Sequence, residues 1–271
     1  MQRRVPNEIE STERRFSAWL EQYHNAEMVR QAEVLPLRRD MVTLLTFVRD
    51  NKVVGTQSTG NMPLKAVREV TARFVNPPEL ETTIGDHTYK LRSEAHLWPL
   101  YFLHILAEVG DLLAIAPARR WRLTREGEEF LSIDPLLQVS FLLTVWWCEV
   151  NWLVAYPFEG MGDALPPFFE QATLARLRSL LTETSISFEE FADGLIEKTG
   201  LTWTAPDSRV ATMLLHGSIA RMVIYILAAF GAVQCEYREE PLGKGTTSKL
   251  VAFEMTPFGK ALLDAVAIVS G

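Results

Sequence analysis

Two stretches of this 271-residue chain end alike, and that repetition constrains the fold more than any other feature. Trp121-Arg-Leu-Thr-Arg-Glu-Gly-Glu-Glu-Phe-Leu aligns with Phe253-Glu-Met-Thr-Pro-Phe-Gly-Lys-Ala-Leu-Leu, giving the pattern apolar-x-apolar-Thr-x-x-Gly-x-x-apolar-Leu. Upstream, Ile105-Leu-Ala-Glu-Val-Gly matches Ile226-Leu-Ala-Ala-Phe-Gly. Each part has a physical reading. The glycine after each long helix can take a left-handed C-cap conformation. The alternating triplet is a strand with one buried face. The threonine hydroxyl accepts from the free N–H groups opening the next helix. The glycine one turn further on permits that short helix to approach closely. The matched threonine stands 14 positions after the glycine in the first copy (Gly110 to Thr124) and 25 in the second (Gly231 to Thr256), so the second hairpin is the longer by eleven residues.

Periodicity places the elements around this repeat. Helices are predicted over 8–24, over 39–50 with Met41, Leu44, Leu45 and Val48 on one side, and over 63–74 with Pro63 at its first position. Residues 77–92 read as a loop with some extended structure. Ser93 caps a helix ending at Val109, and Leu112–Ala116 and Trp121–Leu123 form a hairpin turned at Pro117. A helix over 125–132 and a long apolar helix over 134–154 follow. A Gly- and Pro-punctuated loop begins at Tyr156, then come helices over 167–182, 187–199 and 207–230. Strands over 232–239 and 250–255 enclose a Gly/Thr-rich turn, and a helix over 257–267 closes the chain.

The order helix, helix, long helix, glycine, β-hairpin, capped short helix resembles the winged-helix fold. The Leu-Thr-x-x-Gly-x-x-x-Leu ending is similar to the junction between wing and tail helix in many prokaryotic winged-helix proteins. The resemblance covers about residues 39–132 and again 167–267. The segment Thr59-Gly-Asn-Met-Pro-Leu-Lys also resembles a stretch of an uncharacterised family of bacterial and archaeal proteins, partly plasmid-borne, which brings no activity with it. The fold class read here is mainly α with small β-hairpins: a tandem repeat of two winged-helix-like units joined by a Trp-rich helix. The expected divisions are an N-terminal helical extension (1–38), a first unit (39–132), the Trp-rich helix and loop (133–166) and a second unit (167–271).

Composition narrows the function classes. The chain is 48% hydrophobic and 23% charged, enough apolar side chain to exclude disorder over most of its length. The net charge is -7, which disfavours a protein that coats nucleic acid. That charge is uneven: residues 1–132 carry 18 Lys+Arg and 18 Asp+Glu, and residues 133–271 carry 9 and 16. The first half is therefore the better partner for an anion. No apolar segment follows the N-terminus as in a signal peptide, and the uncharged run Pro135–Cys148 is 14 residues, short of the roughly 20 that span a bilayer. Cys148 and Cys235 form neither a disulfide framework nor a zinc set, so a reducing cytoplasm and no membrane are expected.

The candidate nucleic-acid contacts lie on the first hairpin. Arg119, Arg120, Arg122 and Arg125 fall within seven residues, and Lys65, Arg68 and Arg73 on the preceding helix can extend the patch. In winged-helix proteins wing arginines commonly reach phosphates or the minor groove; the plain alternative is a solvated hairpin tip, with Glu126, Glu128 and Glu129 partly cancelling its field. Groove-reading helices expose Arg, Lys, Asn or Gln to base edges. The helix over 93–109 offers only Glu94, His96, His104 and Glu108, and the helix over 207–230 offers Arg209, Thr212, His216, Ser218 and Arg221; both read as more buried than a recognition helix. His104 and Glu108 share a face without a third metal ligand, which favours a structural histidine, and no metal site is expected. Gly243-Lys-Gly-Thr-Thr lacks the spacing and the strand–helix setting of a phosphate loop, although Lys244 and Lys249 can touch a phosphate non-specifically. No catalytic motif and no cofactor motif occurs. Trp146, Trp147 and Trp152, with Tyr156 and Phe158, suit a core joining the two units, a partner interface or a ligand pocket. The chain thus reads as a non-enzymatic DNA-binding or regulatory protein that holds duplex DNA through its basic first wing. The alternative is a protein–protein interaction scaffold, with a protein partner or as a homodimer, that binds no nucleic acid.

Overall fold

The structure, a computed structural model, describes residues 6–84, 87–155, 165–242 and 245–270. It is mainly helical with small antiparallel sheets. The chain forms two compact units, Ala26–Val150 and the pair of segments Met1–Asn25 and Asn151–Gly271. Helix α1 (Pro6–Tyr23) belongs to the second of these.

The Ala26–Val150 unit begins with α2 (Ala26–Val34), α3 (Pro36–Asp50) and α4 (Leu64–Thr71). A hairpin of β1 (Glu81–Ile84) and β2 (His87–Lys90) and a 3₁₀ turn at Glu94–His96 lead to α5 (Trp98–Val109). The hairpin of β3 (Leu113–Ala116) and β4 (Arg120–Leu123), then α6 (Arg125–Phe130) and α7 (Pro135–Cys148), complete it. Met41, Leu44, Leu45, Val67, Val70, Leu100, Leu106, Leu142 and Leu143 are buried at helical spacing and form its core. α7 carries no charge and is buried over most of its surface, with Leu137, Phe141 and Thr144 half-buried and Cys148 exposed along one stripe.

The other unit continues with α8 (Trp152–Ala155), α9 (Phe169–Arg178), β5 (Ser185–Ser187) and α10 (Phe188–Thr199). A long helix follows, α11 (Ser208–Ile219), a π-helical turn (Ala220–Ile224) and α12 (Tyr225–Ala229). Then come β6 (Val233–Leu242), β7 (Gly245–Met255) and α13 (Pro257–Ser270), with the strands ordered β5-β7-β6 and all antiparallel. α1 packs on α13: Trp19 Nε1 donates to Ala261 O at 2.8 Å and the Tyr23 hydroxyl to Asp264 Oδ2 at 2.8 Å. By length and apolarity the Ser208–Ala229 stretch is long enough to cross a membrane, but half of it is buried inside the protein, as in a core helix.

The repeated ending is one structural device used twice. Thr124 Oγ1 accepts from Gly127 N at 2.9 Å, and Thr256 Oγ1 from Gly259 N at 2.8 Å. The same hydroxyls donate back to Asp111 O at 2.5 Å and to Gly231 O at 2.9 Å. The threonine N–H groups donate to Leu112 O and Ala232 O. A methyl group on Gly127 would lie 2.2 Å from Leu112 O, and one on Gly259 2.0 Å from Ala232 O, so each short helix crosses a backbone that only glycine can approach. These bonds also correct the upstream alignment by one residue. Leu112 N donates to Ala107 O as Ala232 N does to Leu227 O, so Asp111 matches Gly231, and both are left-handed (φ 56° and 67°). Gly110 is not, with φ −79°. It is small because Val145 and Phe141 of α7 come within 3.2 Å of where its Cβ would stand.

Several boundaries differ from those read in the sequence. α2 is a nine-residue helix that the sequence reading did not anticipate. The loop at 77–92 holds β1 and β2. Ser93 makes no capping bond, and the helix starts at Trp98, beside Pro99 at its second position. The helix predicted over 134–154 breaks after Cys148, which places α7 in the Ala26–Val150 unit and α8 in the other. α1, expected to form an extension with residues up to 38, joins the unit that ends the chain. Strand β5 was too short to show in the pattern.

Candidate nucleic-acid interface

The β3–β4 hairpin presents its arginines on one face. The register Ala114↔Arg122 and Ala116↔Arg120 puts two guanidinium groups opposite two alanines. Side chains alternate across a strand, so Trp121, Leu113 and Ile115 lie on the other face, with Trp121 and Leu113 buried. Arg120 and Arg122 are exposed, and Arg119 is exposed at the tip, where Ala118 and Arg119 both have positive φ (63° and 58°). None of the three makes an ion pair among the described residues.

The hairpin is anchored to the segment before α4. Gly55 N donates to Arg119 O at 2.7 Å, Trp121 N to Val53 O at 3.0 Å, and Trp121 Nε1 to Gly60 O at 3.0 Å. Beneath it lies a buried polar network. Glu94 is fully buried; its Oε2 accepts from Met62 N at 2.6 Å and its Oε1 faces His104 Nδ1 at 2.7 Å. The His104 ring lies 4.2 Å from the Trp121 ring, and its Nε2 is 3.5 Å from Glu108. His104 is thus buried and paired with Glu94, ten residues earlier in the chain.

The remaining predicted contacts are distributed unequally. Arg68 is exposed and makes no ion pair among the described residues. Lys65 lies 4.0 Å from Glu69, and Arg125 is held by Glu129 at 2.8 Å, the carboxylate raising its pKa. Arg73 turns away onto the Phe47 ring, 5.3 Å from its centre. With Arg38 and Arg39 it lines a second basic cavity of about 580 Å³, in which burial pushes the Arg38 pKa down.

Among the long helices, α5 offers nothing to a base edge. Its Leu100, Phe102, Leu103, His104, Leu106 and Ala107 are buried, and Phe102 meets Trp146 edge-on at 5.3 Å. The expectation that both long helices are too buried does not hold for α11, whose first turns expose Arg209, Val210, Thr212 and Met213. Ser218, one of the residues proposed to read bases, is buried and donates to Leu214 O at 2.8 Å. His216 is held by Asp193 at 2.8 Å. The exposed face of α11 and the β6–β7 hairpin enclose a groove of about 850 Å³ that the sequence did not reveal.

Trp146, Trp147 and Trp152 are all buried, so they present no surface to a partner. Trp146 belongs to the Ala26–Val150 unit and Trp152 to the other, where it lies edge-on to Phe169 at 6.1 Å. Gly243, Lys244, Tyr156 and Phe158 lie outside the described residues. Lys249 is 3.6 Å from Glu240. Among the described residues no group of three or more His, Cys, Asp or Glu is placed to hold a metal. No protein-family model, no curated protein and no solved structure matches this chain.

Proposed function

We propose that this is a non-enzymatic protein of two winged-helix units that grips duplex DNA by its phosphates through the hairpin at Leu113–Leu123. The observation that carries this reading is the solvated face bearing Arg120 and Arg122 opposite Ala114 and Ala116, with Arg119 at the tip and, among the described residues, no carboxylate paired to any of the three. The winged-helix assignment is supported by the strand order β5-β7-β6 and by the antiparallel bridge Val54↔Arg120, which supplies a third strand position in the other unit. Because α5 is buried, the contact is to the backbone and not to base edges, so binding is sequence-independent. Fluorescence anisotropy with two unrelated duplexes at low salt tests this. Equal affinities that both weaken when Arg119, Arg120 and Arg122 become alanine are expected. A preference for one duplex above a thousandfold, or no binding to either, overturns it.

A second reading, a protein-interaction scaffold, is favoured by one separate observation, the groove along α11 in the other unit.

A further inference from the structure

We propose that the unit containing α11 takes up an extended peptide as an added strand on the free edge of β7, inside the groove between that edge and α11. β6 pairs with β7 along its whole length, from Val233↔Met255 to Leu242↔Gly245. On the other side β5 pairs only from Ser185↔Glu254 to Ser187↔Ala252. Thr246–Val251 therefore have no strand on that side among the described residues. In the Ala26–Val150 unit the corresponding edge is covered where it exists, since Val53–Gly55 bond to Arg119 and Trp121. β6 and β7 run 10 and 11 residues, against 4 each for β3 and β4, so the uncovered edge is the part of the longer hairpin that has no counterpart in the shorter.

That edge forms a wall of the groove: Thr247, Ser248, Lys249, Leu250 and Val251 face Arg209, Thr212, Met213, His216 and Gly217 across about 850 Å³. A row of unpaired strand N–H and C=O groups is a template for another strand, and an extended peptide is the partner that satisfies it. The α11 wall is kept open at a cost to the helix. Gly217 lies in its interior, where glycine is destabilising relative to alanine, yet a Cβ there would meet nothing of the protein within 4 Å. A π-helical turn follows three residues later, a feature that in other helices often accompanies function. Both departures face the same groove, since Gly217 and Ala220 line it.

The occupant is a single chain. A second copy offering β6 or β7 would bring its own sheet and helices against α11. Met213, 64% exposed on α11, offers an apolar contact to a side chain of the incoming strand, with the buried Phe188 and Leu250 in the same lining. Arg209, Arg238 and Lys249 line the groove against Glu189 and Glu240, an excess of one positive charge, and Arg209 and Arg238 make no ion pair among the described residues, so an acidic residue in the peptide is complementary.

The test is a phage-displayed library of random ten-residue peptides selected on the full chain, with the enriched peptide then titrated by anisotropy. Enriched sequences alternate apolar and polar residues, and N-methylation of alternate backbone amides abolishes binding in one register only. Gly217→Leu fills the groove and weakens binding at least tenfold while melting no lower than the parent; Met213→Lys, on an exposed side chain, weakens it too. The Arg119/Arg120/Arg122→Ala variant keeps full peptide affinity, which separates this site from the proposed DNA contact. The proposal is overturned if no peptide is enriched, if Gly217→Leu binds as the parent does, if binding is indifferent to N-methylation, or if Gly217→Leu loses duplex DNA instead.

Discussion

Gly259→Ala is the substitution in which the repeated junction makes its sharpest demand. An added Cβ would stand 2.0 Å from Ala232 O, 2.5 Å from Ala232 Cα and 2.6 Å from its carbonyl carbon. Non-bonded carbon atoms settle at about 3.5–4.0 Å, so α13 would have to withdraw by more than an ångström. It cannot do so freely, because Thr256 bonds Gly231 O and Ala232 O through its hydroxyl and Ala232 O again through its N–H. Overpacking of this kind costs about 3 kcal/mol at the upper end of its usual range. Helix propensity returns at most about 1 kcal/mol. The net loss is about 2 kcal/mol, a fall in Tm of roughly 4–8 °C for a chain of this size. Gly127→Ala, 2.2 Å from Leu112 O, falls by a similar amount. Gly217→Ala makes the same chemical change where nothing lies within 4 Å, and gains about 1 kcal/mol. Thermal unfolding followed by circular dichroism reads all three. A Gly259→Ala protein that melts at or above the parent would refute the equivalence of the two junctions.

Three other perturbations follow from the same geometry. Glu94→Ala leaves Met62 N and His104 without their buried acceptor and should cost about 3–5 kcal/mol in urea unfolding; a loss below 1 kcal/mol would show that the network does not anchor the hairpin. Ala118→Gly relieves a left-handed residue, worth about 1–2 kcal/mol, against an unfolded-chain entropy of about 0.4–1 kcal/mol, so the variant should melt slightly higher, and a lower Tm contradicts the tip geometry. The Tyr23 and Tyr237 hydroxyls are pushed up to about 12, Tyr23 by burial and by its bond to Asp264, Tyr237 by burial and by Cys235. The unfolded chain ionises first, near 10, so stability holds below pH 10 and declines as pH rises through 10 to 12. Unfolding followed across that window should show the decline, reduced in Tyr23→Phe; a flat profile would place both hydroxyls in solvent.

Those parts of the fold governed by neighbours in sequence were legible before the structure. The Thr-x-x-Gly junctions, the hairpin at Leu112–Leu123 and the arginine run all depend on spacing within a dozen residues, and each stands where the pattern puts it. What depended on distant partners was not legible. Glu94 looked like one more helix carboxylate because Met62, which fixes it, is 32 residues away. β5 is three residues long and exists only because β7 lies beside it. The grouping of α1 with α13 spans nearly the whole chain and rests on a tryptophan and a tyrosine that periodicity alone places merely on one face. Gly110 misled because a glycine at a helix end suits two needs, positive φ and close approach, and here it serves the second while Asp111 supplies the first. The long helix expected over 134–154 breaks after Cys148, which apolar spacing alone does not show.

The salt dependence of binding to one random duplex shows whether the β3–β4 hairpin holds DNA phosphates. Each phosphate contact contributes about 0.9 to the slope of log affinity against log salt. Measured side by side with the parent, the Arg119/Arg120/Arg122→Ala protein should show a slope shallower by about 2.7 if all three guanidinium groups neutralise a phosphate. An unchanged slope, or a parent protein that binds no duplex at low salt, contradicts the claim.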